Sequence, residues 1–174
     1  MKRIKIFLAS SIKEFENERL ALKNFNRQME NALIDHGISL RMFVCEYADN
    51  AIADGRKQDD FSREIDDCDV FLVLVGKRMG AFTLEEYEYA LEAQCRRGDG
   101  LPMVLAAFKP YDDADDSTRS FAENLSAKAI RADFNDIVEL KAALALTLGE
   151  RLSSAIHIKV ENERIVVAEK VIKM

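Results

Sequence analysis

Apolar residues along this chain keep switching between two periods. Residues 3–9 (RIKIFLA) form a short apolar run that stops at Ser10-Ser11, the profile of a strand followed by a helix cap. Phe15, Leu22, Phe25, Met29, Ala32 and Leu33 then follow at helical spacing, which predicts a long amphipathic helix ending near Gly37. A second strand is predicted over Ile38–Val44. The polar stretch Glu46–Arg56, with Gly55 in it, reads as a long loop, and Phe61, Ile65 and Cys68 mark a short helix after it. VFLVLVG at 70–76 is continuously apolar and rich in branched residues, as in a central parallel strand buried on both faces. A helix over 83–97, a strand over Met103–Phe108 closed by Pro110, a helix over 117–128, a strand over Ala129–Phe134 and a helix over 135–153 complete the series. Strand and helix thus alternate five times, which indicates an α/β fold with a parallel sheet.

The end of the chain breaks this rhythm. Ile158 and Val160, then Ile165 and Val167, alternate around the polar Glu161–Arg164 segment, predicting a β-hairpin extension. The expected organisation is one domain over 1–153 and a hairpin tail or linker over 154–174, leading toward a further domain of a longer chain. The acidic DDADD segment (112–116) reads as a solvated loop or helix start.

Composition narrows the choice of function. The 174 residues suit one domain, and 48% hydrophobic with 32% charged residues suits a globular one. Lys and Arg number 25 against 31 Asp and Glu, a net charge of -6, which argues against nucleic acid as a partner. The longest apolar run, Val70–Val75, is too short to span a membrane, and the N-terminus lacks the apolar length of a signal peptide. Cys45, Cys68 and Cys95 are too widely spaced for a CxxC-type pair and sit in apolar segments. They read as small buried hydrophobes in a reducing, cytoplasmic setting.

In an open parallel sheet, ligands bind where strands end and the order reverses. Ser10-Ser11, the 46–57 loop, Gly76–Phe82 and the loop after Phe108 should converge there. Neither GxGxxG nor a P-loop is present. Instead Gly76-Lys77-Arg78-Met79-Gly80 follows the third strand and Arg56-Lys57 closes the long loop, so both basic pairs could meet a diphosphate or simply be solvated. In TLEEYEYA (83–90), Glu85, Glu88, Glu92 and Arg96 share a solvent-facing arc, while Glu86 lines up with Ala90 and Ala93 on a closely packed stripe. Thr83-x-x-Glu86 also fits a capping box, a purely structural role. Tyr87 and Leu91 read as core, Ser10 and Ser11 as an N-cap, and His36 as a helix-end residue. His36 and His157 form neither a nucleophilic triad nor a metal site.

IFLASS, the Gly55-containing loop, DDFSREIDDCDVFLVLVG and TLEEYEYAL, in that order, resemble the bacterial TIR-like domains over roughly residues 3–150. The resemblance implies a flavodoxin-like three-layer sandwich with strand order 2-1-3-4-5. It also implies cleavage of NAD at the nicotinamide–ribose bond, in signalling or antiviral defence. NAD is then the substrate, with no separate cofactor. The family's acid opens a helix in a Glu-x-x-x-Ala pattern, matched here by Glu86 and Ala90, so Glu86 is the implied catalytic residue. Phe7, Ser10, Ser11, Arg56, Lys57, Gly76, Lys77, Arg78, Phe82 and Tyr87 are the expected substrate-binding set. The chain departs from the family in having GAFTLE where a Ser/Trp-Cys stretch often stands, and it has no tryptophan. Stacking on substrate then falls to Phe7, Phe43, Phe82 or Tyr87. The resemblance also implies homo-oligomers through the 46–57 loop and adjacent helices. Helix-dipole stabilisation in the first turn would favour an ionised Glu86. Two alternatives stand beside this reading: a non-catalytic interaction module in which Glu86 only caps its helix, and a nucleoside deoxyribosyltransferase-like enzyme. The latter resembles Glu86-Tyr87-Glu88-Tyr89-Ala90, but residues 76–84 supply no acid to protonate a base.

Overall fold

Alternating side chains decide the layering. The computed structural model describes residues 1–44 and 55–174, with only the backbone over 55–60. Five parallel strands, β1 (Lys2–Ala9), β2 (Ile38–Val44), β3 (Val70–Val75), β4 (Met103–Phe108) and β5 (Ala129–Asp133), lie in the order 2-1-3-4-5. They are connected by helices α1 (Glu16–Leu33), α2 (Gly55–Asp66), α3 (Ala81–Arg97) and α4 (Asp116–Glu123), and α5 (Ile137–Leu152) follows β5. The fold is flavodoxin-like α/β. Even-numbered residues of β1 and β3 (Ile4, Ile6, Leu8; Val70, Leu72, Leu74) pack under α1 and α5. Odd-numbered ones (Phe7, Ala9; Phe71, Val73, Val75) pack under α2, α3 and α4. Burial on both faces explains the unbroken apolar run of β3, whereas the edge strand β5 is half-exposed.

Elements fall close to their predicted positions, with informative exceptions. Arg56 and Lys57 lie within α2 instead of closing a loop; of the 46–57 loop expected to form the assembly surface, residues 46–54 lie outside the described residues. Ser10 and Ser11 do not cap α1, because the cap position is Phe15 and a turn intervenes. Ser11 Oγ instead accepts a long 3.4 Å bond from Glu14 N–H within that turn. At the other end, Gly37 in the left-handed region (φ 72°) turns the chain out of a short 3-10 segment. α4 ends at Glu123, earlier than predicted, and its N-cap is Asp115, whose carboxylate accepts from Thr118 N–H at 2.8 Å. The DDADD segment is therefore a helix start.

The tail is more than a hairpin. Strands β6 (Ile158–Glu161), β7 (Arg164–Val167) and β8 (Lys170–Lys173) form a three-stranded antiparallel sheet. Asn162 and Glu163 both have positive φ, the conformation of a two-residue turn that matches strand twist. Ile165, Val167 and Ile172 are buried in the same core as α1 and α5. Lys170 Nζ reaches Asp35 at 2.6 Å.

Asp69, just before β3, ties the sheet to its helices at the opposite end of that strand from the Gly76 loop. Nearly buried, it accepts Lys5 N–H at 2.9 Å and both Nε and Nη2 of Arg151, at 2.9 and 2.6 Å. Cys68 beside it is buried, and burial pushes its thiol up to about 12, leaving it inert at neutral pH. Cys95 is exposed, contrary to the reading of the cysteines as buried, with Lys128 Nζ at 2.9 Å from Sγ; Cys45 lies outside the described residues.

Candidate active site

The strand order reverses between β1 and β3, and the loops leaving their C-terminal ends part there. The crevice is a cavity of about 870 Å³ walled by the β1–α1 loop, α2, the β3–α3 loop and α3. Its size and position suit a nucleotide-sized ligand.

Gly76 lets these two loops close on one another. A Cβ there would fall on the Glu14 carboxylate and 2.8 Å from Phe15 Cζ. With no side chain in the way, Glu14 Oε1 accepts the Lys77 N–H at 2.5 Å, lacing the β1–α1 loop to the β3–α3 loop. The second loop is also held from α4: Met79 N–H donates to Thr118 Oγ1 at 2.9 Å, and Asp115 N–H to the Lys77 carbonyl at 3.0 Å. Gly76→Ala is expected to displace Glu14 and press on the Phe15 ring, costing about 1–3 kcal/mol of stability by urea unfolding. An unchanged midpoint would show that the loop accommodates a methyl group freely.

Glu86 reaches the cavity from α3, but not from where the sequence suggested. α3 starts at Ala81 with Gly80 in extended conformation as its N-cap, and no described side chain caps it. Thr83 and Glu86 are therefore the third and sixth helical residues, and no capping box forms. Glu86 accepts no hydrogen bond from any described residue. Burial pushes its carboxyl up to about 7; the Arg19 guanidinium pulls the other way and Glu85 adds repulsion. The ionised form expected from a first-turn position thus gives way to a carboxyl poised at neutrality, because desolvation outweighs the helix dipole one turn further in. Glu85, Glu88, Glu92 and Arg96 are exposed as predicted, with Arg96 bound to Asp66 at 2.7 Å.

The expected substrate-binding set divides. Ser10, Ser11, Lys77, Arg78 and Phe82 line the cavity with Glu86. Phe7, Gly76 and Tyr87 do not. Phe7 is fully buried between Phe43 and Phe71, with ring centroids 5.2 and 5.5 Å away. Tyr87 packs edge-on against Phe121 at 4.8 Å, and its hydroxyl accepts Ser126 N–H. Of the four stacking candidates, Phe82 is the one that lines the cavity, 41% exposed. The side chains of Arg56 and Lys57 lie outside the described residues. Lys77 is already paired, its ammonium 2.8 Å from Asp113, so its charge is less available to a ligand than the sequence implied.

Sequence reasoning missed Phe61, Ser62, Tyr89 and Lys13 as cavity residues, and Arg19 behind it. Phe61 had only the signal of an apolar helix position. Among the described residues no His, Cys, Asp or Glu cluster could hold a metal ion, and no helix is long and apolar enough to cross a membrane.

Residues 5–149 match the family described as a domain of unknown function, DUF4062, and the chain belongs to that family. No curated protein matches it. Among solved structures it resembles a CMP N-glycosidase of Clostridium botulinum, at 17% identity and a TM-score of 0.48, over 82% of this chain and 98% of the other.

Proposed function

We propose that this domain is a TIR-like hydrolase that cleaves the nicotinamide–ribose bond of NAD, with Glu86 as its catalytic carboxylate. The observation that carries the reading is a half-buried carboxyl group in the wall of a nucleotide-sized cleft that accepts no hydrogen bond from any described residue. The nicotinamide of NAD is cationic and leaves as a neutral base, so no general acid is needed. As the C1′–N bond breaks, its electron pair goes to nicotinamide and positive charge develops on the ribose. Glu86 carboxylate beside C1′ stabilises that charge, water attacks C1′, and its proton is lost to solvent.

The cleft is polarised to suit such a substrate. The N-terminus of α3, capped by no described side chain, opens onto it at Gly80, beside Arg78, where a diphosphate is favoured. Glu85, Glu86 and Glu88 line the α3 side, where the cationic ring would lie. Phe82 at the mouth is the ring for it to stack on. Assembly of several copies, and a role in signalling or defence, belong to the same proposal.

One observation favours a second reading. With its carboxyl near 7, Glu86 is partly protonated at neutral pH and could itself supply the proton that a neutral nucleobase needs to leave. That would make the domain an N-glycosidase of an ordinary nucleotide. Incubation of concentrated protein with NAD, and separately with nucleoside monophosphates, decides between them by product. Free nicotinamide is the expected result. A free pyrimidine or purine, with NAD untouched, would overturn the NAD reading.

A further inference from the structure

A second cavity, of about 380 Å³, lies where β1, β2 and the C-terminal half of α2 meet. Glu64 of α2 lines it, whereas Phe61, Ser62 and Ile65 line the cleft, so α2 stands between the two. Its other charges are positive: Arg3 and Lys5 of β1 and Arg41 of β2. Alternation puts Arg3 and Lys5 on the Phe7 side of β1 and Arg41 on the Phe43 side of β2, and those two rings stack across the strands at 5.2 Å. The three cations thus share one face of the sheet. Lys5 stands directly opposite Arg41 in the parallel register, and Arg3 is two residues, or about 7 Å, further along β1.

Like charges that face each other across a strand pair work against folding. Here the relief is partial. Lys5 Nζ is bound to Asp67 and lies 4.0 Å from Glu64, so its charge is matched within the chain. Arg3 and Arg41 are exposed, and neither has an ion pair with any described residue. Protection of a sheet edge explains charge on β2, the outermost strand, but not on β1, which lies between β2 and β3. We infer that this cavity is a phosphate-binding site, with Arg3 and Arg41 as the two guanidinium groups that close on the anion. Their backbones are roughly 8 Å apart on neighbouring strands, within the span of two arginine side chains. Each planar fork matches a pair of phosphate oxygens, and a dianion between them removes the repulsion that the fold leaves standing. Glu64, the one carboxylate in the lining, is turned to account by Lys5, and Phe43 offers an apolar surface to whatever carries the phosphate. The site is separate from the cleft and does not depend on the reaction proposed for Glu86.

Amide proton–nitrogen NMR of the whole chain, titrated with inorganic phosphate and with phenyl phosphate at constant ionic strength, reads the site directly. Saturating shifts are expected at residues 3–6, 41–43 and Cys68. Tighter binding of phenyl phosphate would mark a phosphate carried on an apolar body, and tighter binding of the inorganic ion a site for free phosphate. The double variant Arg3→Gln, Arg41→Gln is expected to weaken that binding by about tenfold or more, with the remaining spectrum unchanged because both side chains are exposed. Should the pair not fold, each single variant carries the same test with a loss of about threefold or more. Arg78→Gln, at the cleft, is expected to leave these shifts in place, which separates the site from any phosphate taken up at the N-terminus of α3. Shifts that chloride reproduces, that do not saturate, or that persist in the folded arginine variants would show an adventitious ion only and overturn the inference. Phosphate that perturbs the cleft alone overturns it too. Binding that is lost with Arg3 and Arg41 supports it whether or not the protein releases nicotinamide, so the two readings fail separately.

Discussion

Glu86→Gln is expected to reduce nicotinamide release by roughly 10²–10³-fold while making the protein more stable at pH 8. The two effects share one cause. Glu86 binds its proton more tightly in the folded chain, at about 7, than its ordinary value of 4.5, because burial disfavours the charge. Its contribution is fully present below pH 4.5 and is lost as pH rises through 7, since ionisation then works against folding. The cost at pH 8 is about 3 kcal/mol, and a neutral glutamine of the same shape is relieved of it. For a chain of this size that is a rise of roughly 5–10 °C in Tm. Urea unfolding of both proteins at pH 5 and pH 8 checks it: the gap in stability should open as pH rises. A cap would behave in the opposite way, its removal costing about 0.5–2 kcal/mol. Glu86→Gln that is less stable at pH 8 would restore the structural role and remove the strongest support for a catalytic one. A residue that lowers stability where it stands is understandable when its position is set by chemistry.

Much of the frame was legible because it depends on local periods. The switch between two-residue and helical spacing located all five parallel strands, since burying β3 on both faces requires an unbroken apolar run. Starts of elements were harder. Thr83 looked like the N-cap of α3, but the extended backbone at Gly80 sets the start, and a shift of three residues turns a capping position into an interior one. β8 escaped notice because its alternation is so short: Val171 is exposed and Ile172 buried, a single pair in a segment of lysines. Arg19 was the largest omission in the site. Between Glu18 and Leu20 it reads as one more solvated helix charge. Its guanidinium meets Ser10 at the end of β1, and no spacing along the chain records that contact. Gly76 shows the converse, a residue expected at the ligand whose actual work is to let Glu14 through.

The sign of the pH dependence separates the two chemistries open to this cleft. If Glu86 acts as a carboxylate on NAD, kcat/KM rises tenfold per unit up to about pH 7 and then levels, roughly 30-fold in all between pH 5.5 and 8. The midpoint in kcat should lie lower than in kcat/KM. Once bound, the cationic nicotinamide ring favours the ionised form of the neighbouring acid. NAD binding below pH 7 should therefore release a proton from Glu86, measurable as a dependence of the binding enthalpy on the ionisation heat of the buffer. A neutral nucleobase reverses both signs: it needs the protonated acid, so rates fall above pH 7 and binding takes up a proton or none. A rate that declines from pH 6 to 8 in wild type, and a Glu86→Gln variant indifferent to pH, would reassign Glu86 from charge stabiliser to proton donor, and the substrate from a pyridinium nucleotide to an uncharged base.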